Sequence, residues 1–219
     1  VLEVGCGTGQ GLGYLLESSK TVEAGDYSED ILSIAREHYK DRINLKVFDA
    51  QNMPHSDNSK DVIILFEAIY YIPEVKRFIN ECRRILRPGG VVLIATANKD
   101  LPDFNPSPHS FDYYGVQELN DIFSNNGFRC NFYGYLSVKD ISVRQRIMRP
   151  IKKLVVSMGL MPKTMSGKKF FKKLVFGGLV KMPFEIKGNE FDFDDPGKIS
   201  DIEANKKYKV IYCCASILK

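Results

Sequence analysis

The chain's 219 residues are 44% hydrophobic and 26% charged, which suits one substantial core and excludes a disordered chain. Its apolar runs, such as Val62–Phe66, stop within about seven residues, against the roughly 20 that a membrane helix requires. The net charge of +4 is uneven: Arg144–Lys187 holds twelve Lys or Arg against one acid, Glu185, leaving the remainder at −7, so this is no uniformly basic nucleic-acid binder but a mildly acidic domain with one basic insertion.

In chain order, the predicted elements begin with an apolar strand at Val1–Val4 that runs into a glycine cluster. The sequence opens inside this strand without an initiator methionine, so an upstream segment is expected to be missing. Further strands are expected at Thr21–Gly25, Ile43–Phe48, Asp61–Phe66 and Val91–Ala95. Ser28 is placed to cap a helix over Ile31–Tyr39, with Glu29 and Asp30 in the first turn, where the helix dipole favours acids. Val75, Phe78, Ile79, Cys82, Ile85 and Leu86 recur at spacings of three and four, which puts them on one helix face, and Pro88-Gly89-Gly90 stops that helix. Near-continuous apolar strands alternating with amphipathic helices describe an α/β fold, a mostly parallel sheet covered on both faces.

The second half changes character. Leu101–Tyr114 reads as a loop, Val116–Asn125 as a helix closed by Gly127, and Arg129–Val138 as a strand. The basic stretch follows, then an acidic loop at Gly188–Asn205 and a last strand at Lys207–Leu218. Five scattered cysteines, odd in number, read as reduced thiols of a cytoplasmic protein with no metal site.

The chemistry concentrates in the first eleven residues. A glycine-rich turn between a strand and a helix brings a ligand against the backbone and the helix N-terminus. The nicotinamide version needs G-x-G-x-x-G, and Gln10 stands where its last glycine belongs. What remains is E-x-G-x-G-x-G, from Glu3 through Gly5, Gly7 and Gly9, with Cys6 turned into the loop as a small packing residue. This pattern resembles motif I of the class I methyltransferases that use S-adenosylmethionine, in the methyltransferase-11 and -23 branch. Later positions repeat the resemblance in order. It implies that Asp26, followed by Tyr27, accepts the ribose hydroxyls; that Asp49 and Ala50 meet the adenine; and that Phe66 and Glu67 lie at the sulfonium end. Leu86-Arg-Pro-Gly-Gly90 matches the family's turn before its fifth strand. The implied fold is a Rossmann-like, doubly wound, seven-stranded sheet of order 3-2-1-4-5-7-6 with strand 7 antiparallel. The whole chain is then one methyltransferase domain, 1–219, with a helical and loop insertion at 139–206.

The acceptor is less marked. The chain lacks the [DNS]-P-P-[YFW] of amino-methylating DNA enzymes and the Pro-Cys of pyrimidine C5 chemistry. Asn105–Leu119, which holds His109, Tyr113 and Tyr114, resembles the acceptor-facing region of small-molecule and sugar-modifying methyltransferases. An alcohol acceptor must lose its proton, and His is the usual base near neutral pH. His109 is therefore the candidate base, with Tyr71, Tyr113 and Tyr114 lining or orienting; His38, on a solvated helix, and His55, in a polar loop, receive no role. The reading is O-methylation of a small molecule or saccharide. Its rivals are N-methylation of an amino sugar or similar amine, and a non-catalytic partner that binds the cofactor. The basic stretch carries apolar stripes (Ile147, Met148, Ile151, Leu154, Val155 and Met158, then Phe170, Phe171, Leu174 and Val175) and is expected beside the acceptor, away from the adenine. It reads either as helices packed over the substrate face or as a contact with an anionic membrane or a phosphate-bearing acceptor.

Overall fold

The computed structural model describes residues 1–102, 104–138, 182–188 and 193–218. The chain divides into two compact units, Val1–Leu136 with Pro183–Lys219, and Ser137–Met182. The sheet and helices described belong to the first, save Ser137 at the end of one strand. The apolar stripes of the basic stretch lie outside the described residues. The expected insertion, 139–206, is wider than the second unit, because residues from Pro183 onward belong to the first.

Eight strands form one sheet: β1 (Leu2–Val4), β2 (Glu23–Asp26), β3 (Asn44–Val47), β4 (Lys60–Phe66), β5 (Leu86–Ala97), β6 (Phe128–Ser137), β7 (Gly197–Ile199) and β8 (Tyr208–Ile217). Their order is β3-β2-β1-β4-β5-β8-β6-β7. β1 to β5 pair in parallel, and β8 runs antiparallel to β5 from Val91 opposite Ser216 to Ala97 opposite Val210. The last strand thus enters between the fifth and sixth, as the resemblance implied. The eighth strand is the addition: β7 pairs antiparallel with β6 inside the expected acidic loop. Three residues are too few to show a strand period, so the sequence carried no signal for it.

Four helices are described in this unit: α1 (Leu12–Ser18), α2 (Glu29–Tyr39), α3 (Val75–Ile85) and α4 (Val116–Ser124). Ser28 caps α2 through its Oγ, which accepts from Ile31 N at 3.4 Å. α3 turns Val75, Phe78, Ile79, Cys82 and Ile85 inward, the face that the spacing predicts. The chain then passes directly into β5 at Leu86, earlier than expected. Between Leu86 and Val91 the register against β4 slips, so Arg87-Pro88-Gly89-Gly90 bulges out of the ladder and leaves no gap between helix and strand. Two buried clusters cover the two faces of the sheet. One gathers Leu12, Leu32, Ala35 and Tyr39 from α1 and α2; the other gathers the inward residues of α3 and α4. Among the described residues, no helix is long and apolar enough to cross a membrane.

Three places have partners that the sequence did not show. His55 is in that polar loop but turned inward: its side chain is 5% exposed, edge-on to Phe48 at 5.6 Å, with Nδ1 3.5 Å from Glu23. Burial and the charge of nearby Lys60, itself paired with Glu23, push the imidazole's pKa down. His38 is held by Glu185 at 2.8 Å. The described end of the basic stretch, from Pro183, runs with Gly188 against α1 and α2, where Ile186 N donates to Gln10 O at 2.8 Å and Gly188 N to Glu17 at 2.8 Å.

Candidate cofactor and acceptor site

Strand order reverses between β1 and β4, and in open α/β sheets ligands bind beyond the strand C-termini at such a point. A cavity of about 410 Å³ lies there, walled by the residues that follow β1, β2, β3 and β4. This size lies within the usual range for small-molecule sites.

The glycine turn forms its floor. Gly5, Gly7 and Gly9 adopt φ of +68°, +57° and +83°, backbone that side chains disfavour. At Gly9 a side chain would also meet the Tyr39 ring at 2.8 Å. The turn is tied on both sides. Cys6 N donates to Gly25 O at 3.1 Å, Gly7 N to Asp26 Oδ2 at 2.9 Å, and the buried Tyr39 hydroxyl to Gly9 O at 2.7 Å. Cys6 is 8% exposed, packed in the α1–α2 cluster, and burial pushes its thiol far up, which fits the packing role.

Asp26 accepts from Gly7 N and, through Oδ1, from Ser28 N at 3.0 Å, so its carboxylate is fixed at the cavity wall with acceptor capacity left over. Asp49 is held by Gln51, whose backbone and side-chain nitrogens reach Oδ1 at 2.8 and 3.0 Å. Gln51 in turn accepts from Glu74 N at 2.9 Å, which fastens this wall to the start of α3. Glu3 lies behind the turn, 9% exposed, beside the Gly11 backbone at the N-terminus of α1; its Oε2 is buried without a partner. Burial alone pushes this carboxyl up to about 7. A buried carboxylate with no counter-charge is costly, and a cationic ligand group nearby would relieve it.

The opposite wall is aromatic. Tyr71 and Phe111, 50% and 62% exposed, both line the cavity. Phe111 N donates to Tyr70 O at 2.8 Å, which brings the loop after β5 onto the rim. Tyr113 stacks on Tyr70 at 4.4 Å, and the Tyr70 hydroxyl donates to Glu67 at 3.1 Å. Glu67 adopts φ +53° just past β4, and burial raises its carboxyl. Phe66 meets Tyr212 of β8 at 6.1 Å.

Of the residues named from sequence, Gly5, Asp26, Tyr27, Asp49, Ala50 and Tyr71 line one cavity. Glu3, Cys6, Gly7 and Gly9 build the turn beneath it. Phe66 and Glu67 stand beyond its lining, toward β5 and β8. His109 sits on the exposed part of the Phe111 loop, its N donating to Ser107 Oγ at 3.4 Å, and is not in the lining. Tyr114 is 9% exposed in the main core and is not in the lining either. Phe48, Leu65, Ile72 and Phe111 line the cavity unannounced. Three of these read only as core residues; Phe111 was visible as an aromatic in a polar loop.

The residues suit S-adenosylmethionine: carboxylates toward hydroxyls and amines, apolar walls for a base, and an unpaired buried acid for a positive charge. Comparison with known proteins agrees. Residues 2–94 match the family described as a methyltransferase domain. The chain is 31% identical over 134 residues to a probable S-adenosylmethionine-dependent methyltransferase of Mycolicibacterium smegmatis, covering 58% of this chain and 51% of that one. It is 34% identical over 122 residues to a malonyl-[acyl-carrier protein] O-methyltransferase of Pectobacterium atrosepticum, covering 55% and 47%. A crystal structure of a methyltransferase dependent on S-adenosylmethionine, from Aquifex aeolicus, superposes with a TM-score of 0.53 at 24% identity, over 63% of this chain and 73% of that one. The chain spans about half the length of these curated relatives.

Proposed function

We propose that the protein, whose residues 2–94 match a methyltransferase domain, is an S-adenosylmethionine-dependent enzyme of the class I kind that transfers a methyl group to oxygen on a small-molecule or saccharide acceptor. The observation that carries this reading is the cavity at the β1–β4 reversal, with Asp26 and Asp49 in one wall, Glu3 unpaired behind the glycine turn, and Tyr71 and Phe111 opposite. Resemblance to an O-methyltransferase supports oxygen over nitrogen.

S-adenosylmethionine, when bound, supplies a methyl group on a cationic sulfur. In this reading the turn Gly5-Cys6-Gly7 with Gly9 holds it by backbone contact, Asp26 with Tyr27 and Asp49 with Ala50 orient it, and the Glu3 carboxylate offsets a positive charge. Phe66 and Glu67 bound the site toward β5. Tyr71 orients the acceptor and excludes water, with Tyr113 and Tyr114 behind that wall, and an imidazole nitrogen of His109 takes the hydroxyl proton. Transfer of an activated methyl group to the acceptor is an in-line displacement, so fixing the acceptor's approach supplies much of the rate. The basic stretch Arg144–Lys187 is assigned to a phosphate-bearing acceptor or an anionic membrane surface, in a protein acting in the cytoplasm.

The test is calorimetric titration with S-adenosylhomocysteine, followed by transfer of labelled methyl to sugar nucleotides offered as hydroxyl and amino pairs. Binding and labelling of the hydroxyl member are expected. Labelling of the amino member alone would move the reaction to nitrogen. Binding with no transfer to either would leave a non-catalytic partner. His109→Ala should lower kcat about 10²-fold with S-adenosylhomocysteine affinity intact; a change in KM alone would make His109 a binding residue.

A further inference from the structure

Glycine inside a helix costs about 0.5–1 kcal/mol relative to alanine. α1 nevertheless carries Gly13, buried, in its first turn. The space a Cβ would occupy is filled by the Glu185 side chain and by the Ile186 carbonyl, 2.7 Å away.

Glu185 is the centre of this contact. Its side chain is 10% exposed and is gripped by Arg42 through both carboxylate oxygens at 2.9 and 2.5 Å, and by His38 at 2.8 Å. Arg42 holds the carboxyl down to about 2, so the pair stays charged throughout the neutral range. Phe184 stacks on the His38 ring at 6.0 Å.

Two routes lead from Glu185 to the glycine turn. In one, Ile186, the next residue, donates to the carbonyl of Gln10 at 2.8 Å. In the other, Arg42 lies over the Tyr39 ring at 5.0 Å, and the Tyr39 hydroxyl donates to the carbonyl of Gly9 at 2.7 Å. Successive carbonyls of one turn are therefore held from behind by two contacts that depend on one carboxylate. Of the turn's other tethers, Asp26 on Gly7 N acts from the cavity side and Gly25 O on Cys6 N from β2.

We propose that Pro183–Gly188 is a strap that positions the cofactor turn, with Glu185 as its positioning residue. The proposal rests on the functional reading above and assigns this segment a duty toward the cofactor, where its basic charge suggested only the acceptor. Glu185 touches no reacting atom; it acts through Gln10 and Tyr39. Gly13 is glycine because the strap passes over it.

The experiment uses the full chain, with S-adenosylhomocysteine titrated by calorimetry well below the melting temperature. Glu185→Ala should raise its Kd roughly ten-fold, within the usual range for residues acting on a site through others. Arg42→Lys, which keeps the charge but not the two-point grip, should fall between. Gly13→Ala, which displaces the strap, should follow Glu185→Ala. Amide exchange over residues 7–12 should accelerate in the same variants without any ligand. Phe123→Leu, a core change remote from the turn, serves as the stability control and should lower Tm while leaving Kd alone. If Glu185→Ala behaves like that control, losing Tm but keeping Kd and the exchange rates of the turn, the strap is only structural and the proposal is overturned. Should Glu185→Ala fail to fold, Glu185→Gln and Arg42→Lys carry the same comparison. If the unaltered chain shows no heat with S-adenosylhomocysteine, the functional reading itself falls, an outcome distinct from binding that ignores Glu185.

Discussion

Asp26 ties the glycine turn and faces the cavity with the same carboxylate, so Asp26→Ala removes an acceptor for ligand and for Gly7 N together. Its loss should weaken S-adenosylhomocysteine binding by about 1–3 kcal/mol in calorimetry; an unchanged affinity would remove Asp26 from the site. Glu3 yields a pH prediction. Its folded pKa, about 7, stands above the ordinary 4.5 because burial disfavours the anion. The stability it contributes is then fully present below about pH 4.5 and lost as pH rises through 7, by about 3 kcal/mol for a shift of this size. Urea titrations of the unliganded protein should show this decline in the wild type and not in Glu3→Gln. Parallel curves for the two would contradict it. These acids were legible because each lies within or at the end of a strand in a spaced motif. His55, Gln51 and Glu185 were not, since their partners come from other elements: Glu185 lies 143 residues from Arg42.

At the level of elements, the strands and helices that carry long apolar periods were readable, and the connections that aim the site were not. The wall formed by residues 49–53 shows why. Its far end is secured from another element: Met53 N donates to Glu81 at 2.7 Å, while Arg84 donates to the carbonyls of Met53 at 3.0 Å and His55 at 2.7 Å. Arg84 also pairs with Glu81 at 2.7 Å and Asp57 at 2.8 Å, so one side chain on the last turn of α3 secures the loop after β3. On the helix pattern alone Arg84 is an outward cation. Arg84→Ala should destabilise the protein by about 1.5–3 kcal/mol, as hydrogen bonds to a charged group are lost. Amide exchange over residues 50–57 should also rise. Protection equal to wild type across that loop would show that Gln51 alone suffices. The bulge at Arg87–Gly90 and the three-residue β7 teach the same lesson: breaks and short additions in a ladder follow from what the neighbouring strand requires.

Across the molecule, the sheet order was legible only through a family resemblance, because no local pattern says which strands adjoin. The charge asymmetry was plain in the sequence, but the strap's seat on α1 and α2 was not. β8 is the strand that comes last in this sequence and stands between β5 and β6. A chain ended at Lys207 should therefore be insoluble or melt without cooperativity, as seen by calorimetry; a soluble chain with a sharp transition would show that β5 and β6 can close without it. The same placement bears on biosynthesis. Seventy residues separate Ser137 from Tyr208. At a translation rate of roughly 5–20 residues per second, β5 and β6 wait roughly 4–14 seconds with unpaired edges while the intervening segment is made. During that interval the nascent chain offers two strand edges to any neighbour, and a chaperone at the ribosome exit would have its window there, closing when β8 is released.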